Sequence, residues 1–328
     1  MNGASSSDPA ERRRTVSLVF PLFNEEERLP GLISEVETFR ALHPDVVEVV
    51  LVDDGSTDRT AELAKRLTSG RPGWVLVRFS RNFGHQPAVT AGLHLATGDA
   101  AVILDADGQD PLEVVSTMIQ RWREGYDVVF GVRRTRDADS WLQRMTARWF
   151  YRFFQRFTEV HAPVDAGDFR LVSRTVIEAY KGLEEQQPYV RGLIAWLGFN
   201  QVGVEYDRPA RVAGASKYAW RDRFQLALDG LASFSGRPLR YAVRIGVATS
   251  FVAIVGIVWV LVSKWTGSTV PGWASLTFVA FFFGGLQLFF LGVVGSYVAR
   301  VYEEVKGRPR FVVRERWTSG GIPREGSA

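Results

Sequence analysis

The stretch Val102-Ile103-Leu104-Asp105-Ala106-Asp107-Gly108-Gln109-Asp110-Pro111 is an apolar run that stops at two carboxylates and then at turn residues. It reads as a buried strand that delivers acid groups to the edge of a sheet. Asp105 and Asp107 stand at i and i+2, so on a strand they share a face, and on the turn beyond it they can converge on one cation. A hard divalent ion prefers oxygen ligands of this kind. Mg²⁺ commonly takes one or two carboxylates and leaves its other positions to substrate phosphates. The bland alternative for an isolated D-x-D is a solvated acidic turn, so the elements around it have to decide.

Those elements sit in a chain of 328 residues, enough for one large domain or two ordinary ones. Hydrophobic residues make up 46% and charged residues 23%, which suits a globular core, and the apolar excess lies near the C-terminus. There is no cysteine, which excludes disulfides, thiolate metal sites and cysteine nucleophiles, and the four histidines are too scattered for a zinc site. Any cation is therefore held by oxygen. The formal charge is +4, but the arginines cluster beside the hydrophobic segments, which points to an anionic lipid surface. No nucleic-acid-binding motif is present.

Four strand signals alternate with helix signals. Thr15 to Leu22 is a strand, followed by a helix that starts around Phe23-Asn24-Glu25-Glu26-Glu27 and runs to Leu42. Val46 to Val52 is a second strand, ending in Asp53-Asp54-Gly55-Ser56-Thr57-Asp58, where Ser56 or Thr57 can cap a helix to Leu67. Trp74 to Phe79 is a third, followed by Ser80-Arg81-Asn82-Phe83-Gly84-His85 and a helix from Pro87 to Ala96; Ala100 to Leu104 is the fourth. This alternation predicts an α/β fold with a doubly wound, mostly parallel sheet, and such sheets bind ligands beyond the carboxyl ends of their strands. All the polar clusters fall there. No G-x-G-x-x-G follows the first strand and no P-loop occurs, so phosphates must be held by other means.

The C-terminal half suggests a membrane. In residues 141–157, Arg144, Arg148, Arg152 and Arg156 are spaced four apart among aromatic residues, the pattern of an amphipathic interfacial helix, with a core helix bearing a solvated charged face as the alternative. Tyr241 to Val262 and Trp273 to Ala299 are each long and apolar enough for a transmembrane helix. Arginines precede the first span and follow the second, which predicts both termini and the catalytic part in the cytoplasm. The expected organisation is a disordered tail over 1–14, a catalytic domain over 15–217, a juxtamembrane amphipathic segment over 218–240, two spans within 241–299, and a basic cytoplasmic tail over 300–328, loosely ordered from Gly307 to Ala328.

Six motifs in order resemble those of the polyprenyl-phosphate glycosyltransferases, GT-A-fold enzymes of glycosyltransferase family 2. They are Pro21-Leu22-Phe23-Asn24-Glu25-Glu26, Asp53-Asp54-Gly55-Ser56-Thr57-Asp58, Ser80-Arg81-Asn82-Phe83-Gly84, Asp105-Ala106-Asp107-x-Gln109-Asp110-Pro111, Gly167-Asp168-Phe169-Arg170-Leu171 and Ser216-Lys217-Tyr218. Gly108 departs from the pattern, which usually has a larger apolar residue there. The resemblance implies sugar transfer from a nucleotide-diphosphate sugar to an undecaprenyl or decaprenyl phosphate on the cytoplasmic leaflet. It implies Mg²⁺ or Mn²⁺ on Asp107, with Asp105 shared between metal and ribose, and Gln109 near sugar or phosphate. Pro21, Phe23, Asn24 and Glu25 match the base and ribose pocket, Asp53 the nucleobase contact, Arg81 a diphosphate contact, and Arg211 and Lys217 a mobile loop over the diphosphate. Asp168 matches a carboxylate near the reacting atoms, as base or orienter, or else a salt-bridge partner of Arg170. Arg133 and Arg144 are the acceptor-phosphate candidates, because a guanidinium binds phosphate bidentately. Glucose from a UDP-sugar is the expected donor, with mannose from GDP-mannose, a processive polysaccharide synthase and a non-catalytic membrane-anchored scaffold as alternatives. Self-association into a homo-oligomer is plausible for such helices.

Overall fold

In the computed structural model, residues 14–134, 166–186, 188–207 and 272–319 are described, with scattered helical positions between 245 and 265. Everything is laid around β1 (Val16–Leu22), all seven of whose residues are buried. After it come α1 (Leu29–Leu42), β2 (Val46–Asp53), α2 (Thr60–Thr68), β3 (Trp74–Phe79), α3 (His85–Leu95), β4 (Ala100–Ile103), α4 (Leu112–Arg123) and β5 (Val128–Arg133). Then follow β6 (Ala166–Ser173), α5 (Arg174–Lys181), α6 (Val190–Trp196), β7 (Gln201–Tyr206), α7 (Trp273–Val305) and β8 (Val313–Thr318).

The eight strands form one sheet in the order β7-β5-β6-β4-β1-β2-β3-β8. The first four strands are parallel, as their near-continuous apolar sequences predict for strands covered on both faces. β6 runs antiparallel to both β4 and β5, and β8 antiparallel to β3, so the whole sheet is mixed. Alternation along β1 divides the core. Val16, Leu18, Phe20 and Leu22 join the cluster built with Leu29, Ile33 and Val36 of α1 and Val115, Met118 and Ile119 of α4. Val19 points to the other face, where α3 lies so close that a Cβ on Gly92 would stand 2.1 Å from a Val19 methyl. A methyl there would overpack the layer, which typically costs about 1–3 kcal/mol.

Three sequence expectations change. α1 starts at Leu29, because Asn24 turns into the left-handed region (φ 56°) and the segment after it is bonded to the loop beyond β2. Ser56 and Thr57 do not cap α2. The N-cap is Arg59, without a side-chain cap bond, and Asp58 before it accepts from Thr60 N at 3.0 Å and Thr60 Oγ1 at 2.6 Å. The tail expected to be loosely ordered supplies β8, pinned by an ion pair from Lys65 to Glu315 at 2.6 Å.

The chain divides into two compact units, the sheet unit containing residues 308–328 and a second unit containing 218–307. The second unit contains α7. Its stretch Phe282–Val305 is the one helix among the described residues long and apolar enough to cross a membrane, and none of it is buried. The other expected span, Tyr241–Val262, lies partly outside the described residues. The interfacial helix 141–157, the segment 218–240 and the residues before Arg14 lie outside them.

Candidate active site

The carboxyl ends of β1 to β4 are joined by side chains that bond to main chain across loops. Asn24 N–H donates to Ser56 Oγ at 3.0 Å, and Asn24 Oδ1 accepts from Thr57 N–H at 2.9 Å. Glu25 N–H donates to Thr60 Oγ1 and Glu26 N–H to Asp58 Oδ2. The loops after β1 and β2 thus brace each other, which leaves the Phe23 ring 44% exposed at the edge while Pro21 is buried at the end of β1. Asp53 is fully buried. Its carboxylate accepts Ser56 N–H at 3.0 Å and pairs with Arg78 Nε at 3.2 Å.

Asp54 performs a task the sequence did not disclose. Its two oxygens accept the main-chain N–H groups of Phe83 (2.7 Å) and Gly84 (2.9 Å), fixing the loop after β3. Burial pushes its pKa above the ordinary 3.8 against those hydrogen bonds. The neighbouring Gly55 has φ +69°, and a Cβ there would meet the Arg81 carbonyl carbon at 2.4 Å. Only glycine fits between the two loops. Arg81 itself is exposed, donates to Asn82 O at 2.9 Å and lies over the Phe83 ring, its guanidinium carbon 4.0 Å from the centroid.

The acid turn follows β4. Asp105 N–H donates to Asp110 Oδ2 at 2.9 Å and Gln109 N–H donates to Asp107 Oδ1 at 3.0 Å, while the Gln109 side chain is buried. Gly108 has φ +75°, and a Cβ there would stand 2.8 Å from Nη2 of Arg28. The departure from the family pattern is therefore matched locally: glycine supplies the left-handed turn and leaves room for Arg28. The Glu35 carboxylate, paired with Arg28 at 2.6 Å, raises the guanidinium's pKa against burial, and Glu25 and Asp107 add to it. On the other side, Arg133 Nε donates to Tyr206 Oη at 3.4 Å and Tyr206 Oη donates to Asp110 Oδ1 at 3.3 Å. Burial lowers the Arg133 pKa, but Tyr206, Asp110 and Asp105 outweigh it and raise it.

Asp105 and Asp107 both lie just beyond the end of β4 and offer only oxygen donors. Among the described residues no group of three or more His, Cys, Asp or Glu side chains is arranged to hold a metal. Carboxylate oxygens are the donor type a hard divalent cation takes in ones or twos, with substrate oxygens completing its shell.

Sequence reasoning missed His85. Its Nε2 lies 3.3 Å from Asp168 Oδ2 and 3.8 Å from Asp105 Oδ1, so the first residue of α3 bridges the two candidate acids. Asp168 also pairs with Arg191 Nε at 3.3 Å and accepts from Gln86 Nε2 at 3.2 Å. Arg170 donates instead to Gly167 O at 2.8 Å. Burial would raise the Asp168 pKa, but the His85 hydrogen bond and the Arg191 charge dominate and hold it well below the carboxylate range. Burial likewise opposes charge on His85, and Asp168 and Asp105 overcome it, raising its pKa above 6.5. Burial brings Arg170 down to about 10, still protonated at neutral pH. The available signal was position: His85 and Gln86 open the helix at the carboxyl edge of β3. Arg144, Arg211 and Lys217 lie outside the described residues.

Residues 17–181 match the family described as glycosyl transferase family 2. The chain belongs to that family. This family-2 glycosyltransferase is 40% identical over 301 residues to the SfII prophage-derived bactoprenol glucosyl transferase of Shigella flexneri, covering 92% of this chain and 97% of that one. It is 40% identical over 302 residues to the uncharacterized glycosyltransferase YkcC of Bacillus subtilis (strain 168), covering 92% and 94%. Among solved structures it is similar to the mannosyltransferase PcManGT from Pyrobaculum calidifontis in complex with GDP-Man and Mn²⁺, with a TM-score of 0.51 at 18% identity over 90% of this chain and 87% of that one. The last likeness is one of fold: the family-2 glycosyltransferase has a mixed α/β sheet of GT-A type.

Proposed function

We propose that this glycosyltransferase moves a sugar, glucose in the first instance, from a UDP-sugar to a polyprenyl phosphate at the cytoplasmic leaflet, with inversion at the anomeric carbon. The observation that carries the reading is the likeness, over nearly the whole of both chains, to proteins named bactoprenol glucosyl transferase. The site's chemistry agrees with it. In this reading Pro21, Phe23, Asn24, Glu25 and Asp53 serve the base and ribose, and Arg81 serves the diphosphate. Asp107, with Asp105, would hold Mg²⁺ or Mn²⁺, which when bound supplies Lewis-acid stabilisation of the charge on the departing diphosphate.

A phosphate oxygen of the acceptor attacks the anomeric carbon in line as the bond to the nucleoside diphosphate breaks, and the diphosphate leaves with the electron pair. The acceptor arrives ionised, so no general base is required. Asp168, kept anionic by His85 and Arg191, is accordingly an orienter. Arg133 at the end of β5 screens and positions the acceptor phosphate, with Arg144 as its partner in that role and Arg211 and Lys217 as further contacts to the donor. We read Phe282–Val305 as one membrane crossing and Tyr241–Val262 as the other. Purified protein in vesicles with polyprenyl phosphate and a panel of nucleotide sugars tests the proposal. UDP-glucose is expected to give the most glycolipid. Preference for GDP-mannose would replace the donor, and no glycolipid from any donor would refute the activity.

A further inference from the structure

An aromatic path runs from the segment after α7 to Arg81. Phe311 stacks on Phe79, their centroids 4.9 Å apart and their planes within 11°. Phe79, 1% exposed, meets Phe83 edge-to-face at 5.7 Å and 90°. Phe83 in turn carries the Arg81 guanidinium on its face at 4.0 Å. The main chain follows the same route, because Ser80 N–H donates to Val312 O at 2.9 Å and Phe79 pairs with Val313 just past an irregularity in the β3–β8 ladder. Arg310 anchors the near end by donating to the Leu183 carbonyl beyond α5.

The loop 80–84 has three supports: Asp54 below Phe83 and Gly84, Gly55 against the Arg81 carbonyl, and the strap 310–313 at its start. The first two belong to the αβ units whose loops face the site. The third comes from the far end of the chain, and a sheet of parallel βα units needs no such edge strand to be closed. Strand β8 carries charges along Val313-Arg314-Glu315-Arg316-Trp317-Thr318, with Trp317 packed against the core, and it also fixes the chain that enters it. Ring–ring and cation–ring contacts are directional, so they set the orientation of Phe83 and with it the direction in which Arg81 is held.

We propose that Phe311 is a positioning residue for the donor, setting through Phe79 and Phe83 where the Arg81 guanidinium meets a nucleoside diphosphate. The proposal rests on the donor reading given above. Removing the Phe311 ring loosens the Arg81 loop while leaving the acceptor side, built on β5 and β7, as it was.

The test is steady-state transfer by the full chain in vesicles, wild type against Phe311→Ala, Phe311→Leu and Phe311→Tyr, with UDP-glucose and polyprenyl phosphate varied separately and UDP binding measured by calorimetry. In Phe311→Ala the KM for the nucleotide sugar and the Kd for UDP are expected to rise by up to about tenfold, the range set by one aromatic pair. The acceptor KM and kcat are expected to stay within about twofold, well below that range. Phe311→Tyr is expected to restore donor binding. Should Phe311→Ala not fold, Phe311→Leu keeps the apolar bulk without the stack and carries the same expectation. Unchanged donor KM and UDP affinity would overturn the proposal, as would donor and acceptor KM rising together or a leucine that serves as well as phenylalanine. Wild type that turns over no nucleotide sugar would remove the functional reading and this inference with it, whereas a wild type that does so beside an unaffected Phe311→Ala removes the inference alone.

Discussion

Replacing Asp168 by asparagine keeps the volume and removes the charge from a site where three cations face one carboxylate. Oδ1 pairs with Arg191 at 3.3 Å, and Oδ2 with His85 at 3.3 Å and with the Gln86 amide at 3.2 Å. An asparagine NH₂ must turn a donor toward one of these donors. Arg170, 4% exposed, loses the anion that favours its charge and stays protonated. Breaking a buried pair by deleting one partner costs about 3–5 kcal/mol. Arg191 and His85 retain side-chain exposures of 30% and 42%, so water screens their share, and the buried Arg170, bonded to Gly167 O, loses only a through-space attraction. The low end, about 3 kcal/mol, is therefore the expected loss, or about 6–12 °C in the unfolding midpoint for a domain of this size. Intrinsic-fluorescence melts in detergent measure it. The double variant Asp168→Asn/Arg170→Met removes the stranded cation and is expected to recover about half of the loss while remaining inactive in transfer. A drop below about 2 °C, or a double variant no more stable than Asp168→Asn, would refute the reasoning.

Gly55→Ala combines a left-handed backbone with a 2.4 Å approach to the Arg81 carbonyl, whereas Gly70 has φ +75° and open space. Denaturant melts are expected to show a loss of about 2–5 kcal/mol for Gly55→Ala and about 1–2 for Gly70→Ala, and equal losses would contradict the clash. Arg133→Lys is expected to raise the KM for polyprenyl phosphate by about tenfold with little change for the donor, since the bidentate fork is lost. Equal changes in both would confine Arg133 to the Tyr206 network. Burial, with Arg310 and Lys181 adding to it, brings the His94 pKa down to about 4, so the folded protein excludes a proton that the unfolded chain takes up near pH 6.5. His94 therefore contributes its full stability above pH 6.5 and loses it as pH falls toward 4. Unfolding midpoints of His94→Gln should depend less on pH across that window, and parallel curves for the two proteins would contradict the assignment.

The four βα units and the acid turn were legible because their signals are local: continuous apolar runs for covered strands, turn residues at their ends, and two acids at i and i+2. What escaped was long-range. His85 meets Asp168, and Arg191 meets it from α6, through the sheet's crossing order, which no spacing encodes. Val313–Thr318 reads as tail in the sequence because an edge strand carries charges that keep other chains from pairing with it, and such a strand looks like loop. Gly108 departs from the family pattern because Arg28 lies beside it, a neighbour far off in sequence. Ser56 and Thr57 had the composition of caps, but Asn24 claims both.

The most direct test is transfer of labelled glucose from UDP-glucose by the purified chain in vesicles, with polyprenyl phosphate present or absent and with Mg²⁺ or a chelator. The account predicts a glycolipid that forms only when the lipid phosphate and the divalent ion are both present, and that Asp107→Asn abolishes. Glycolipid formed at an undiminished rate in chelator, or UDP-glucose consumed equally without the lipid phosphate, would contradict it.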